Sequence, residues 1–409
     1  MQILFLTHRI PYPPDKGERI RAFHELRYLA ARHEVDLFCF ADSQESAENQ
    51  QFLRTMCRSV YVEVLGKPIR LVQAASNFFA GRPMSFGYFH SSRFDERVRE
   101  ALRRHNYDAV FVYCSSMGDS IPQSVCVPVV VDFVDADSQK FMQYADRSGG
   151  SRRWLYAREA RAVAAAEQSL GRMAALSFAV TEHDATELSK SNPEFKVEVV
   201  PNGVEVPDVS DVQDQSGVHE QEPFALFVGT MNYPPNSDAA SYFAQDILPL
   251  VRKAHPELRF VIVGRDPDRR VRKLANIPGV VVTGAVPDAF RYFRDAEVSV
   301  APFRISQGFH NKIAESLAVG TPVITTSRAM AGIGLGEHEG LFVADTPGDF
   351  AGKVSAVLGD PCLRRELRSR AFSVRQLLSW DSRLSKLEQL IVQVVARSAN
   401  PSPELVAER

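Results

Sequence analysis

The chain has 409 residues, more than the ~300 residues at which a single hydrophobic core usually stops growing, so we expect two domains. Hydrophobic residues make up 45% and charged residues 24% of the chain, a balance that excludes a disordered or fibrous protein. The formal net charge of -2 gives no reason to expect a nucleic acid partner.

The cysteines and the N-terminal segment both indicate a cytoplasmic protein. The cysteine count of 5 is odd, no CxxC pair is present, and most of the cysteines lie in apolar runs, so we expect buried, reduced thiols. The first apolar segment ends at Leu6 and is too short for a signal peptide. No run approaches the ~18 apolar residues of a membrane-spanning helix, which leaves peripheral membrane contact open.

Short apolar runs alternate with helical patterns in the first half of the chain. The runs are QILFLT (2–7), VDLFCF (35–40), VYVEVL (60–65), AVFVY (109–113), VPVVVDF (127–133) and ALSFAV (175–180). Between the first two runs, the apolar residues of the segment 18–33 recur at helical spacing. Continuous apolar strands separated by helices predict a parallel sheet covered on both faces, and we assign residues 1–205 to an N-terminal Rossmann-like domain.

A second series of strands follows an acidic segment rich in Ser, Gly and Gln, which we interpret as a linker over residues 206–223. The runs are FALFVG (224–229), LRFVIVG (258–264), GVVVTG (279–284), EVSVAP (297–302) and TPVITT (321–326). They predict a C-terminal Rossmann-like domain over residues 224–378, then a helix and tail over 379–409 that can pack back on the first domain. The predicted fold is α/β, with two doubly wound domains and a cleft between them.

In open α/β sheets, ligands bind beyond the carboxyl ends of the strands, so the residues after each strand are of interest. After the first strand, THRIPYPPDKGERIR places Gly17 and either Arg19 or Arg21 where they can approach an anion. A surface loop with solvated arginines explains the same pattern.

Three carboxylates follow the strand VPVVVDF in the segment VDADS. Asp132, Asp135 and Asp137 could provide a general base, orient a sugar hydroxyl or hold a metal. Alternatively, Asp137 or Ser138 caps the next helix. We expect a cap role for one of these residues and a site role for at least one of the carboxylates.

The stretch QGFHNKIAESLAVGTPVITT (307–326) has the most specific pattern. It opens a helix after the strand EVSVAP, so the backbone N–H groups of Phe309 to Lys312 would favour a negatively charged ligand. Glu315 lies on the same helix face as Lys312. A carboxylate there would repel a phosphate unless it binds another part of the ligand, such as a ribose diol. The pattern thus indicates a nucleotide, although a surface ion pair between the two side chains explains it as well.

Other nucleotide and metal motifs are absent from the sequence. Neither GxGxxG at the first βα turn of either half nor a Walker A motif occurs, which argues against a nicotinamide dehydrogenase. The histidines, 10 in number, show no HExxH or paired metal spacing, so we expect no metal.

At this point the sequence resembles the GT-B retaining glycosyltransferases that use nucleotide sugars, of the glycosyltransferase family 4-like type. KIAESLAVGTPVITT (312–326) and VVPNGVEV (199–206) carry the resemblance. FVGTMNYPPN, VIVGRDP, VTGAV and GFHNKIAESLA are similar to a narrower group, the sugar transferases associated with exosortase and PEP-CTERM systems of exopolysaccharide-producing bacteria. The resemblance covers about the whole chain and keeps the order of the motifs.

The resemblance implies a role for each residue of the donor site. Glu315 would bind the ribose, and the loop at Gly17, with Arg19, would close over the diphosphate from the other domain. Arg265 and Val286 would lie beside the base. The diphosphate and sugar would contact the segment Gly308, Phe309, His310, Asn311 and Lys312.

This sequence departs from the family pattern at two places. Gln307 stands where the family has a glutamate that binds the transferred hexose. Thr230 and Asn236 stand where the family often has an arginine and a lysine, so Lys312 would have to supply the missing positive charge, with Arg19 or Arg265. The family shows no clear protein nucleophile, and Asp135 is only a candidate for orienting the acceptor or the sugar.

The implied activity is transfer of a sugar from a nucleotide-sugar donor to a polysaccharide or lipid-linked oligosaccharide, with retention, in exopolysaccharide biosynthesis. No cofactor or metal is expected. A nucleotide-sugar epimerase and a non-catalytic nucleotide-sugar binding subunit are the alternatives. The acceptor would meet the N-terminal domain, where the segment 69–89 combines aromatic residues with arginines. That composition suits a lipid-linked acceptor or the inner membrane surface, and an ordinary core is the other interpretation.

Overall fold

The structure is a computed structural model that describes residues 1–15, 17–42, 47–190, 195–206, 222–305, 308–330, 332–335 and 339–399. The chain forms two compact units, Met1–Val200 with Leu384–Arg409, and Pro201–Arg383. Each unit is built on one sheet whose strands are all parallel.

The sheet of the first unit has the strand order β3-β2-β1-β4-β5-β6-β7. Its strands are β1 (Gln2–Thr7), β2 (Glu34–Ala41), β3 (Ser59–Val64), β4 (Ala109–Tyr113), β5 (Val129–Asp132), β6 (Leu176–Ala179) and β7 (Glu198–Val199). The connecting helices are α1 (Gly17–Ala30), α2 (Ala47–Met56), α3 (Lys67–Phe79), α4 (Met84–Gly87), α5 (Ser92–Arg104), a 3₁₀ turn (Ser115–Ser120), α6 (Asp137–Asp146), α7 (Gly150–Met173) and α8 (Glu182–Ser189).

The sheet of the second unit has the strand order β10-β9-β8-β11-β12-β13. Its strands are β8 (Phe224–Val228), β9 (Arg259–Val263), β10 (Val280–Gly284), β11 (Val298–Ala301), β12 (Val323–Thr325) and β13 (Leu341–Val343). The helices are α9 (Pro234–Tyr242), a π-helical turn (Phe243–Ile247), α10 (Leu248–Val251), α11 (Arg269–Leu274), α12 (Ala289–Asp295), α13 (Asn311–Ala318), α14 (Ser327–Met330), α15 (Pro347–Gly359), α16 (Pro361–Ser373), a 3₁₀ turn (Arg375–Leu378) and α17 (Trp380–Ala399).

The prediction of two doubly wound α/β domains is confirmed. Each predicted apolar run contains a strand, and the residues of β1, β4 and β11 are almost entirely buried, as expected for strands covered by helices on both faces. The short strands β7 and β13 were not predicted, because two or three residues carry too little pattern. The chain order reverses between β1 and β4 and between β8 and β11, and these switch points are where such sheets bind ligands.

From Leu384 onwards, helix α17 belongs to the first unit. Lys386 Nζ donates to the backbone oxygen of Val199 at 3.1 Å, and Glu388 lies 3.0 Å from His33 Nε2. The C-terminal helix is thereby attached to the edge strand β7 and to the end of α1.

The structure corrects the prediction that the thiols are buried. Cys39 and Cys57 are buried and Cys114 is half-buried, but Cys126 and Cys362 are exposed, and all five thiols are free. None of the helices that the structure describes combines the length and the apolar composition needed to cross a membrane.

Candidate functional site

The switch point of the second sheet lies between the adjacent strands β8 and β11. Two strand ends meet closely beside it. A Cβ atom on Gly264, which follows β9, would lie 1.7 Å from the backbone oxygen of Gly229, which follows β8. Only glycine therefore fits at position 264, where the backbone after β9 packs directly against the backbone after β8.

The amine of Lys312 is fixed at this switch point. Its Nζ donates a 2.6 Å hydrogen bond to Oδ1 of Asn236, near the start of α9. The amide of Asn236 in turn donates to the backbone oxygen of Thr230 at 2.9 Å. The same Nζ lies 4.7 Å from the ring centre of Phe227 on β8 and 4.6 Å from that of Phe303 after β11. Residues from both sides of the switch point thus hold one amine.

Burial shifts the pKa values of Lys312 and Glu315 toward neutrality. It lowers the pKa of Lys312 to about 7, against the opposing effect of the Glu315 carboxylate. It raises the pKa of Glu315 to about 7, against the opposing effect of Lys312. A surface ion pair is therefore the wrong interpretation of this spacing, because both side chains are at least half-buried and the Lys312 amine bonds to Asn236.

The segment Gly308–Asn311 leads into α13 with a close-packed backbone. Gly308 has a φ of 64°, a left-handed conformation that favours glycine. A Cβ atom on Gly332 would lie 2.3 Å from the oxygen of Gly308, so the backbone at Gly332 packs directly against that of Gly308. His310 stacks on Phe303 with the ring centres 4.3 Å apart. Burial, with a contribution from Lys312, lowers the pKa of His310 to about 3, so the imidazole stays neutral.

Helix α13 begins at Asn311, within the stretch that was predicted to open a helix, and its first amides point along the helix axis past its N-terminus. The first backbone bond of its opening turn runs from Ile313 N to His310 O at 3.0 Å. The amides of Asn311 and Lys312 precede that bond, at the positive end of the helix dipole. Lys312, whose amine is held on Asn236, belongs to this same turn. Gln307, the residue at the predicted hexose position, lies outside the described residues.

The two residues expected beside the base follow strands at the same edge of this sheet. Arg265 is exposed directly after β9, and its backbone oxygen accepts from Met231 N at 2.9 Å. Val286 follows β10, and it is half-buried against the apolar cluster that includes Phe224 and Val263. Their contact with a base remains a prediction.

In the first unit, α1 starts at Gly17, and its first two arginines differ in environment. Arg21 is 1% exposed, and its Nε donates to Asp132 Oδ2 at 2.6 Å and lies 2.9 Å from Glu25. Of the two arginines expected to approach an anion, Arg21 is therefore engaged inside the unit, and of the three carboxylates Asp132 is engaged with it. Arg19 is buried and pairs with Asp15 at 3.8 Å, and its role toward a diphosphate remains a prediction.

Asp135, which follows β5, is buried close to other carboxylates. Burial, with the neighbouring carboxylates of Asp184 and Asp137, raises the pKa of Asp135 to about 6. Neither Asp137 nor Ser138 caps α6, contrary to the prediction. Carboxylates from elsewhere in the chain accept from its first amides: Asp184 from Ala136 N at 3.1 Å, and Glu167 from Ser138 N at 3.2 Å.

Two residues missed by sequence reasoning stand at the switch point of the first sheet. His8 follows β1 and Cys114 follows β4, and His8 Nδ1 lies 3.1 Å from Cys114 Sγ. Cys114 and Val134 follow the neighbouring strands β4 and β5. Their φ values are 67° and 66°, a left-handed backbone conformation that residues other than glycine rarely adopt. Such backbone strain clusters at functional sites. The position of His8 directly after a strand was the signal that could have found it.

Metal-ligating side chains do not converge in this part of the molecule. Across the residues whose structure is described, no three histidine, cysteine, aspartate or glutamate side chains form a group that could hold a metal ion.

Comparison with known proteins defines the class. Residues 17–203 match the family model for the glycosyl transferase 4-like domain, and residues 222–360 match that for glycosyl transferases group 1. Phosphatidyl-myo-inositol mannosyltransferase of Mycobacterium leprae is 28% identical over 131 residues, 31% of this chain. The matched part spans only 34% of that relative's length.

Solved structures with a similar fold match nearly the whole length of this chain. Sucrose-phosphate synthase from Thermosynechococcus elongatus has a TM-score of 0.67 at 16% identity, over 97% of this chain and 99% of that one. Anabaena HepE in complex with UDP has a TM-score of 0.64 at 16% identity, over 96% of this chain and 100% of that one. WaaG, a glycosyltransferase involved in lipopolysaccharide biosynthesis, has a TM-score of 0.63 at 16% identity, over 95% and 99%.

The two Rossmann-like parallel sheets and these neighbours place the fold in the GT-B class. With a glycosyltransferase domain matched in each half, the chain belongs to the GT-B glycosyltransferases of the group 1 and 4-like type.

Proposed function

We propose that the protein transfers a sugar from a nucleotide-sugar donor to a polysaccharide or lipid-linked oligosaccharide acceptor. One observation carries the proposal: Lys312, in the first turn of α13, has a buried amine that is held on Asn236 at the switch point of the C-terminal sheet. A helix N-terminus with an adjacent cation is a site for phosphate oxygens. HepE, which shares the fold, was solved with UDP and with UDP-glucose, and this supports a nucleotide sugar as the donor.

The proposed chemistry is departure of a nucleoside diphosphate from the anomeric carbon of the sugar. The negative charge that develops on the diphosphate would be stabilised by the α13 amides and by Lys312, in a preorganised site. Glu315 would accept hydrogen bonds from the ribose diol. Asp135 would orient the acceptor or the sugar. The proposal includes retention of the anomeric configuration. It also includes a role in bacterial exopolysaccharide biosynthesis of the PEP-CTERM type, with action at the cytoplasmic face of the membrane.

The departing diphosphate needs positive charge, and its source in this chain differs from the family pattern. Asn236 stands where the family often has a lysine, and it accepts a hydrogen bond from Lys312 at 2.6 Å. Lys312 thereby brings an amine to this position from another element. The absence of a cation at position 236 is thus compatible with diphosphate binding.

Incubation with labelled nucleotide sugars and a polyprenyl-diphosphate acceptor tests the proposal. Label in the glycan product, with the anomeric configuration of the donor, is the expected result. Conversion of the donor to its epimer without transfer would identify a nucleotide-sugar epimerase instead. Donor binding without turnover across a panel of bases and sugars would identify a binding subunit, and either result would contradict the proposal.

A further inference from the structure

Helix α3 exposes an apolar side and buries a polar one. Arg70 is fully buried, and it lies 3.0 Å from the carboxylate of Asp42. On the opposite side, the exposed fractions are 53% for Ile69, 69% for Val72 and 86% for Phe79. A surface helix ordinarily turns its apolar side toward the core. The solvent side of α3 is therefore suited to an apolar environment that lies outside the unit.

The first turn of α7 extends this apolar side. Trp154 is 58% exposed and lies edge to face with Phe78, with the ring centres 6.2 Å apart. Arg158 donates to the backbone oxygens of Phe78 and Arg82, each at 2.8 Å, and so fastens α7 to the end of α3. We call the result the α3–α7 surface, which consists of the exposed residues Ile69, Leu71, Val72, Phe79, Trp154, Lys67, Arg82, Arg152 and Arg153.

The charges on this surface have one sign. The segments 64–94 and 147–158 contain no aspartate or glutamate. Lys67 and Arg82 flank the apolar side of α3, and Arg152 and Arg153 precede Trp154, all four exposed. Within these two segments, the exposed aliphatic and aromatic side chains have cations and no anions as sequence neighbours, a combination that matches the interface of a bilayer with anionic headgroups. A protein partner would not require this excess of positive charge.

We propose that the α3–α7 surface binds a bilayer that contains anionic phospholipid, with Val72, Phe79 and Trp154 at headgroup depth and the cations on lipid phosphates. This inference rests on the membrane part of the proposed function and gives it a location in the fold. Solvent exposure divides the segment 69–89. Phe86 is core, with 3% of its surface exposed, whereas Phe79 projects into solvent.

Trp154 provides a direct measurement on the unmodified protein. The chain has 2 tryptophans, and Trp380 is only 4% exposed. Vesicles of phosphatidylglycerol and brominated phosphatidylcholine should quench Trp154 fluorescence, and unbrominated vesicles should shift its emission to shorter wavelength. Trp154→Phe should remove both signals but still bind the vesicles in a flotation assay.

Variants test the surface itself. Val72→Glu combined with Phe79→Glu should weaken flotation with anionic vesicles at least about tenfold, because it places charge in the apolar contact. Arg152→Gln combined with Arg153→Gln should weaken it about tenfold and reduce its salt dependence. Val392→Glu, which charges an exposed valine on α17, is the matched control and should bind as the wild type does.

Several results would overturn the inference: no binding of the wild-type protein to anionic vesicles, equal binding to phosphatidylcholine alone, or unchanged binding of the Val72→Glu, Phe79→Glu variant. Light scattering adds another. If the wild type is a dimer that this variant separates, the surface is an interface between copies of the chain. The assay contains neither donor nor acceptor, so its outcome is independent of the transferase test.

Discussion

Lys312 and Asn236 are 76 positions apart in the chain, and their side chains are joined by a 2.6 Å hydrogen bond at the switch point of the C-terminal sheet. The bond connects the helix after β8 to the helix after β11. It explains how a lysine at the start of α13 is directed into the interior although solvent is the usual environment for an amine. The predictions below depend on this relationship.

Binding of a nucleoside diphosphate should be coupled to proton uptake by Lys312. Its pKa is lowered to about 7 by burial, so above that pH the free protein increasingly holds a neutral amine. A nearby phosphate favours the charged form and raises the pKa on binding. Affinity should therefore fall as pH rises above about 7, by up to about tenfold per pH unit. Calorimetry in buffers of different ionisation enthalpy should show that a proton is taken up on binding at about pH 8. Lys312→Met should lose most of this uptake, and equal uptake by that variant would exclude Lys312 as the source.

Asn236 should act as a positioning residue for Lys312. Asn236→Ala removes the acceptor of the Lys312 amine, and we expect about a fivefold loss of nucleoside diphosphate affinity. Asn236→Asp should pair with the amine and raise its pKa, so the fall in affinity should begin at higher pH than in the wild type. A pH profile that is unchanged in Asn236→Asp would contradict the positioning role, whatever the affinity.

Glu315 should discriminate the ribose. Glu315→Gln should weaken binding of a ribonucleoside diphosphate by about tenfold, because the amide replaces one of the two acceptor oxygens with an NH2 donor and carries no charge. The same substitution should have little effect on the dideoxyribose analogue. Equal losses for the two ligands would show that the ribose is not the partner of this side chain.

Arg21 should stabilise the first unit without contributing to donor binding. Arg21→Met leaves Asp132 buried without its guanidinium partner, and breaking a buried pair in this way costs about 3–5 kcal/mol of unfolding free energy. Urea unfolding measures the loss, and calorimetry with a nucleoside diphosphate should give the wild-type affinity. Wild-type stability together with reduced diphosphate affinity would contradict this stabilising role and would favour Arg21 as a ligand of the diphosphate.

The sheets and the start of α13 were predictable from local pattern. Continuous apolar runs identify strands that are covered on both faces, and Gly320, with a φ of 85°, stands two residues after the last residue of α13, where glycine commonly ends a helix. The environment of each polar side chain was not predictable. Arg21 and Lys312 both stand in polar helix openings, yet tertiary packing buries one against Asp132 and directs the other to Asn236.

The same limit applies to α3 and to the helix caps. A periodic apolar pattern does not say which side of a helix meets the core, and in α3 the buried side holds Arg70. Aspartate and serine at the start of α6 suggested a local cap, but distant carboxylates of Asp184 and Glu167 accept from the first amides instead. Contacts between residues far apart in sequence decided each of these cases.

Calorimetric titration of Lys312→Ala with nucleoside diphosphates tests the central claim most directly. Loss of a charge-assisted contact to phosphate should weaken binding about 10- to 100-fold. Lys273→Ala, which removes an exposed lysine of α11 in the same unit, is the matched control and should bind as the wild type does. Wild-type affinity in Lys312→Ala, with folding intact by circular dichroism, would contradict the assignment of this site to the donor diphosphate.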